Sequence, residues 1–236
     1  MKILSIDVET TGLDTENCML LEFGAVVEDT LDVKPINECP SFNCIVENSG
    51  LLLGSAFALD MNKGILEILA GQERLDKEEL IEYRKKYGIV KYEDIASQFY
   101  YFLQVAGVIN PFADEQGRGM GTKWEDSEGT SHMVSAFTNK SKKYHINVLG
   151  KNFGTFDKIF IENMPRWQQY FKIKNRIADP AILYTDWKED EGLPNFKTCM
   201  ERTGINGEVS HKAYEDARYT IIMLRKATKD YTLKLF

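Results

Sequence analysis

The chain has 236 residues, 43% of them hydrophobic and 28% charged. That is enough for one large domain or two small ones with a real core, and too apolar a mixture for disorder. The net charge of -7 argues against a nonspecific nucleic-acid coat, and no apolar run approaches the ~20 residues that a membrane helix needs.

The N-terminus turns acidic after six residues, so no signal peptide is expected. Cys18, Cys39, Cys44 and Cys199 lack CxxC spacing. They read as reduced thiols of a cytoplasmic protein, not as a disulfide frame or a zinc site. Charge is uneven: residues 1–148 hold 14 Lys and Arg against 24 acids, and residues 149–236 hold 15 against 12. A nucleic-acid partner would meet a local basic surface in the second half.

Residues 3–10 are apolar and β-branched and predict a first strand, which Gly12 ends. Residues 19–27 predict a second, buried strand and residues 42–46 a third, joined as an antiparallel meander. Residues 56–87 predict helix in two pieces, broken near Gly71. Ile95, Phe99, Phe102, Leu103 and Ala106 mark one face of an amphipathic helix. Residues 110–143 are polar, Gly-rich and aperiodic, as expected of a surface insertion. A fourth strand is predicted over 145–149, a short helix over 156–164 and a fifth strand over 176–178. Helices follow at about 180–187 and 194–203. Ala213, Ala217, Ile221, Leu224 and Ala227 then lie along one face of a last helix. The order predicts an α/β fold with a mixed sheet in one domain, 1–236.

Three stretches carry chemistry. In DVETTGLD, Asp7 and Glu9 share one face of a strand. About five acid-x-acid triplets arise by chance in such a chain, but two carboxylates at ~4 Å repel by about 4 kcal/mol. Solvent, a shared proton or a divalent cation must offset that, and oxygen-rich clusters suit Mg²⁺ or Mn²⁺. In GKNFGTFDKIFI, Asp157 lies at the start of a helix, where a carboxylate is also favoured electrostatically. In VSHKAYEDARYT, Asp216 comes five positions after His211. On a helix they would point ~140° apart. They converge only if His211 sits on the loop before the helix and Asp216 in its first turns.

As an ordered set, DVETTGLD, NFGTFD and HKAYED resemble the three motifs of the DEDDh 3′–5′ exonucleases, a family of the ribonuclease H-like superfamily. LLEFGAVV, ADPAILY and the last helix extend the likeness over most of 1–48 and 145–228. Proofreading members place Asn four residues before the second-motif Asp; here Asn152 is five before Asp157, nearer the oligoribonuclease pattern. The resemblance implies a ribonuclease H-like mixed five-stranded sheet flanked by helices. It implies removal of nucleotides from 3′ ends of single-stranded DNA or RNA with two Mg²⁺ or Mn²⁺ ions. One ion would be held by Asp7, Glu9 and Asp216 and the other by Asp7 and Asp157, with His211 as general base. Thr11, Gly12 and Leu13 would contact the terminal nucleotide, and Asn152 and Phe153 would line the same pocket. Lys151 and Lys212, next to the motifs, are the first candidates for phosphate contacts, before Lys158, Lys172, Lys174 and Arg176. The small size suits a stand-alone enzyme or a subunit with a polymerase or replication partner; no membrane is implied. The alternatives are a catalytically silent nucleic-acid-binding module and a phosphodiesterase of dinucleotides. Glu22 reads as a structural hydrogen-bonding residue, with Thr10 or Thr11 as partner.

Overall fold

A computed structural model describes residues 1–109, 120–125, 131–136, 143–206 and 209–229, with 120–125 and 131–136 as backbone alone. β1 (Lys2–Thr10), β2 (Leu20–Asp29) and β3 (Ser41–Glu47) form the expected antiparallel meander. The next segment folds as α1 (Ala56–Met61), α2 (Lys63–Ala70), a 3-10 turn at Gly71–Arg74 and α3 (Lys77–Tyr87). The start of α3 is fixed by a capping box between Asp76 and Glu79, with Arg84, Lys85 and Lys86 in its last turn. Gly88, at φ 63°, ends the helix in the left-handed conformation that glycine adopts without strain.

That reversal delivers β4 (Ile89–Lys91) to the sheet, parallel to β3. α4 (Ile95–Val105) buries Ile95, Ala96, Phe99, Tyr100 and Leu103, the face expected from the sequence. Within the expected insertion, β5 (Met120–Glu125) and β6 (Ser131–Ala136) pair antiparallel. The rest of 110–142 lies outside the described residues.

The strand expected over 145–149 divides at Asn147. The Asn147 carbonyl accepts the Leu4 N–H at 2.9 Å, and its side chain donates to the Lys2 carbonyl at 3.1 Å. β7 (Tyr144–Ile146) precedes the division and β8 (Val148–Leu149), parallel to β1, follows it. α5 (Asp157–Glu162), α6 (Trp167–Tyr170), β9 (Phe171–Ile173), α7 (Phe196–Thr203) and α8 (Ala213–Ala227) complete the described elements. β9 pairs with β7.

The central sheet has five strands in the order β4-β3-β2-β1-β8. Its fifth strand is β4, not residues 176–178. That stretch makes one parallel bridge, Ala178 to Leu149. It goes no further because Asp179 accepts the Ala181 N–H at 2.8 Å and starts a 3-10 turn at Pro180. This turn, Pro180–Leu183, is all the helix formed where 180–187 was expected.

Strand alternation sorts the core onto two faces. Leu4, Ile6 and Val8 of β1 and Phe23, Ala25 and Val27 of β2 pack with Phe99, Leu103, Trp167 and Phe171. The opposite face carries Ile3 and Val26 against Ala217 and Ile221 of α8. Asp7, Glu9, Glu22, Gly24 and Glu28 follow the same parity, so they too face α8.

Three contacts dock α8 on β2. At its start, the Ala213 N–H donates to Glu22 Oε2 at 2.9 Å. In its last turn, Arg225 gives a two-pronged ion pair to buried Glu28, at 2.9 and 2.5 Å. Between them, a Cβ on Gly24 would lie 2.3 Å from the Tyr214 backbone nitrogen, so only glycine admits the helix. The spacings agree. Twelve residues of helix rise ~18 Å, and the six from Glu22 to Glu28 extend ~20 Å.

Candidate metal centre

β1 supplies Asp7 and Glu9 on the face toward α8, directly opposite Gly24 and Glu22 of β2. With α8 docked over Gly24, Asp216 in its first turn reaches both. Carboxylate oxygens of Asp7, Glu9 and Asp216 lie within 4.8 Å of one another. Asp157 enters from the other side. β8 ends at Leu149, opposite Ser5, which leaves the Val8 N–H to Asp157 Oδ1 at 3.1 Å. The second motif is thus hydrogen-bonded to the residue between the two acids of the first.

The electrostatics are those of anions packed without room to dilute them. Burial, then Asp157, Asp216, Glu9 and Glu22, raises the Asp7 carboxyl well above the usual carboxylate range. Burial and the charges of Asp216 and Glu22 push Glu9 up to about 8, with the Asn62 amide partly offsetting them. Burial pushes Asp157 to about 7, against the Val8 hydrogen bond. Asp216 is raised by burial and partly held down by the Ser210 hydroxyl, which donates to Oδ1 at 2.8 Å, and by the nearby His211. The set consists of hard oxygen donors at mutual distances that one small divalent ion can span, and it gains most from a cation.

His211 lies on the loop before α8, exposed, at φ 49°. That is a left-handed backbone, uncommon and costly for a non-glycine residue. The arrangement is the one the five-residue spacing required. Glu22 has the structural role expected of it, with other partners: Asn43 Nδ2 at 3.1 Å and the Ala213 N–H.

Several expected substrate contacts are already engaged. The Thr11 N–H goes to the Met19 carbonyl at 2.9 Å, and the Thr11 hydroxyl donates to the Leu53 carbonyl. The Thr11 carbonyl accepts the Ser55 N–H at 2.8 Å. Among the described residues, the Gly12 and Leu13 amides have no partner, and the Leu13 side chain is 83% exposed. Phe153 is fully buried in the main core, so the expectation that it lines a nucleotide pocket gives way to a packing role. A Cβ on Gly150 would lie 2.7 Å from that of Phe153, so the ring packs directly against the turn after β8. Asn152 is exposed at φ 57°, and Asp179 accepts its N–H at 2.9 Å. Lys151 pairs with the same Asp179 at 3.6 Å. Lys212 is exposed and close enough to Glu22 to favour its ionised form.

Two features escape the sequence. Buried Asn62, at the junction of α1 and α2, sets its amide beside Glu9 and donates to the Thr10 carbonyl at 3.3 Å. The segment bonded to Thr11 also carries exposed Leu53 and Phe57. Neither shows a motif; both depend on a contact more than forty residues away along the chain.

No family model matches the chain, and no curated protein matches it in sequence. Solved structures do match. Exonuclease I of E. coli in complex with a dA16 oligonucleotide is 15% identical with a TM-score of 0.50, over 97% of this chain and 40% of that one. Exonuclease I from Methylocaldum szegediense is 13% identical with a TM-score of 0.51, over 99% and 41%. Cell-death related nuclease 4 is 12% identical with a TM-score of 0.52, over 98% and 64%. This chain therefore spans about two fifths of the length of those exonuclease I chains. What it shares with these proteins is the ribonuclease H-like fold: an α/β architecture with a mixed five-stranded sheet flanked by helices. Among the described residues, no helix is long and apolar enough to cross a membrane.

Proposed function

We propose that this protein is a metal-dependent 3′–5′ exonuclease of the DEDDh type that shortens single-stranded nucleic acid. One observation carries the reading. Asp7, Glu9 and Asp216 converge within 4.8 Å, with Asp157 bonded to Val8 and His211 at the exposed rim beside Asp216. The fold shared with exonuclease I, which has been crystallised in complex with a dA16 oligonucleotide, supports it.

Asp7, Glu9 and Asp216 would hold one divalent ion, and Asp7 with Asp157 a second. Mg²⁺ or Mn²⁺ suits the all-oxygen donor set. Bound there, the ions supply Lewis acidity to the scissile phosphate and lower the pKa of water. The chain's own residues do the rest. Asp7 stands between the other acids and serves both positions. The Ser210 hydroxyl and the first turn of α8 orient Asp216. His211 accepts the proton of the attacking water at an imidazole nitrogen, the general-base role most often filled by histidine. The amides of Gly12 and Leu13, with the exposed Leu13 side chain, receive the terminal nucleotide. Lys212, beside the third motif, meets its phosphate.

The test is digestion of 5′-labelled single-stranded DNA and RNA of graded length, with Mg²⁺ and with chelator. Metal-dependent release of mononucleotides from the 3′ end is expected. Binding without cleavage would favour a silent module, and activity confined to dinucleotides would favour a small phosphodiesterase.

A further inference from the structure

A second feature of the surface lies away from the acids. β7 and β9 pair in parallel with His145 opposite Lys172, which points both side chains to the same face. Together with Lys143, Lys158, Glu162 and Asn175 they line a hollow of about 480 Å³. Its single acid, Glu162, is held by Lys158 Nζ at 2.6 Å. Among the described residues, Lys143 and Lys172 have no acidic partner; Lys143 reaches only Gln168 Oε1, at 3.5 Å. The segment 143–176 holds seven Lys and Arg against two acids, in a chain of net charge -7. Unpaired cations set side by side repel one another, and an anion between them would relieve that.

We propose that this hollow binds the phosphodiester backbone of a single-stranded nucleic acid upstream of its 3′ end. The geometry ties it to the metal centre. Lys158, in the hollow, follows Asp157 directly in α5. His145 lies three residues before Val148, which is level with Leu4 of β1, and Asp7 lies three residues beyond Leu4. At ~3.3 Å per residue the separation is ~20 Å, or about six stacked nucleotides at 3.4 Å each. A dinucleotide held at the acids falls short of His145 and Lys172, on the side of the hollow away from Lys158; a 12-mer reaches them. The inference rests on the nuclease reading for which end of the strand is held, but its binding measurement does not need catalysis.

The probe is 5′-fluorescein-labelled dT12, titrated by anisotropy in chelator between 50 and 200 mM salt, with wild type and with Lys143→Ala/Lys172→Ala combined. Loss of two phosphate contacts is expected to weaken binding about 10- to 30-fold near 0.1 M salt and to reduce the slope of log K against log salt by about 1.4. Hydrolysis of a labelled dinucleotide in Mg²⁺ is expected to change less than twofold. An unchanged slope and affinity for dT12 overturns the proposal, and so does an equal loss on the dinucleotide. A wild type that binds dT12 with the steeper slope yet cleaves nothing refutes the nuclease reading and leaves the hollow standing.

Discussion

Glu9→Gln should make this protein more stable in chelator, although Glu9 belongs to the proposed working centre. Burial and neighbouring anions raise the Glu9 carboxyl from 4.5 to about 8. Between those values the folded chain holds a proton that the unfolded chain releases. Stability therefore falls as pH rises through that window. At 1.36 kcal/mol per unit, the cost at pH 8 is about 4 kcal/mol for this group alone. Protons shared with Asp7, Asp157 and Asp216 reduce what one substitution recovers, to about 2–4 kcal/mol. Gln is isosteric and keeps an oxygen for the Asn62 amide. Urea unfolding in chelator should show Glu9→Gln ahead by that amount at pH 8 and by less than about 1 kcal/mol at pH 5, where wild-type Glu9 is largely protonated when folded. Added Mg²⁺ should narrow or reverse the difference at pH 8, because ligand bound to the folded state stabilises it and the variant lacks one anionic donor. A Glu9→Gln protein no more stable than wild type at pH 8 in chelator would refute the electrostatic account of the cluster.

His211→Ala should slow cleavage by ~10²–10⁴ while Mg²⁺ binding, followed by calorimetry, stays close to wild type; full activity removes the general-base role. Asp7→Asn should be the most damaging single change at the centre, because Asp7 serves both proposed ion positions; cleavage at the wild-type rate would sink that assignment. Arg225→Met leaves the Glu28 carboxylate buried and unpaired, and should cost about 3–5 kcal/mol of stability in urea unfolding. Gly24→Ala forces a backbone of α8 that lies 2.3 Å from the new methyl group, so a loss of about 1–3 kcal/mol should accompany reduced Mg²⁺ affinity as Asp216 moves away. Unaltered metal affinity in that variant would show that the docking of α8 does not set the site.

Local periodicity was enough to place part of this centre in advance. Side chains two apart on a strand share a face, so Asp7 and Glu9 had to point together. Asp216 follows His211 at a spacing of five, which required a helix to begin between them, and α8 begins at Ala213. α4 and α8 were legible because their apolar side chains follow a helical repeat, and the meander because its strands are short apolar runs with short connections. Errors arose where a distant contact outweighed the local pattern. Phe153 sits in a motif but fills the core behind β1. Residues 176–178 have strand composition, yet Asp179 and Pro180 end the pairing after one bridge, and β4 takes the place in the sheet. Which carboxylates meet is likewise a tertiary matter. Asp157 and Asp216 reach Asp7 across 150 and 209 residues of chain only because β8 stops short of Val8 and Gly24 lets α8 lie against β2. Those are long-range steric and hydrogen-bonding facts, and no repeat of two or 3.6 residues can encode them.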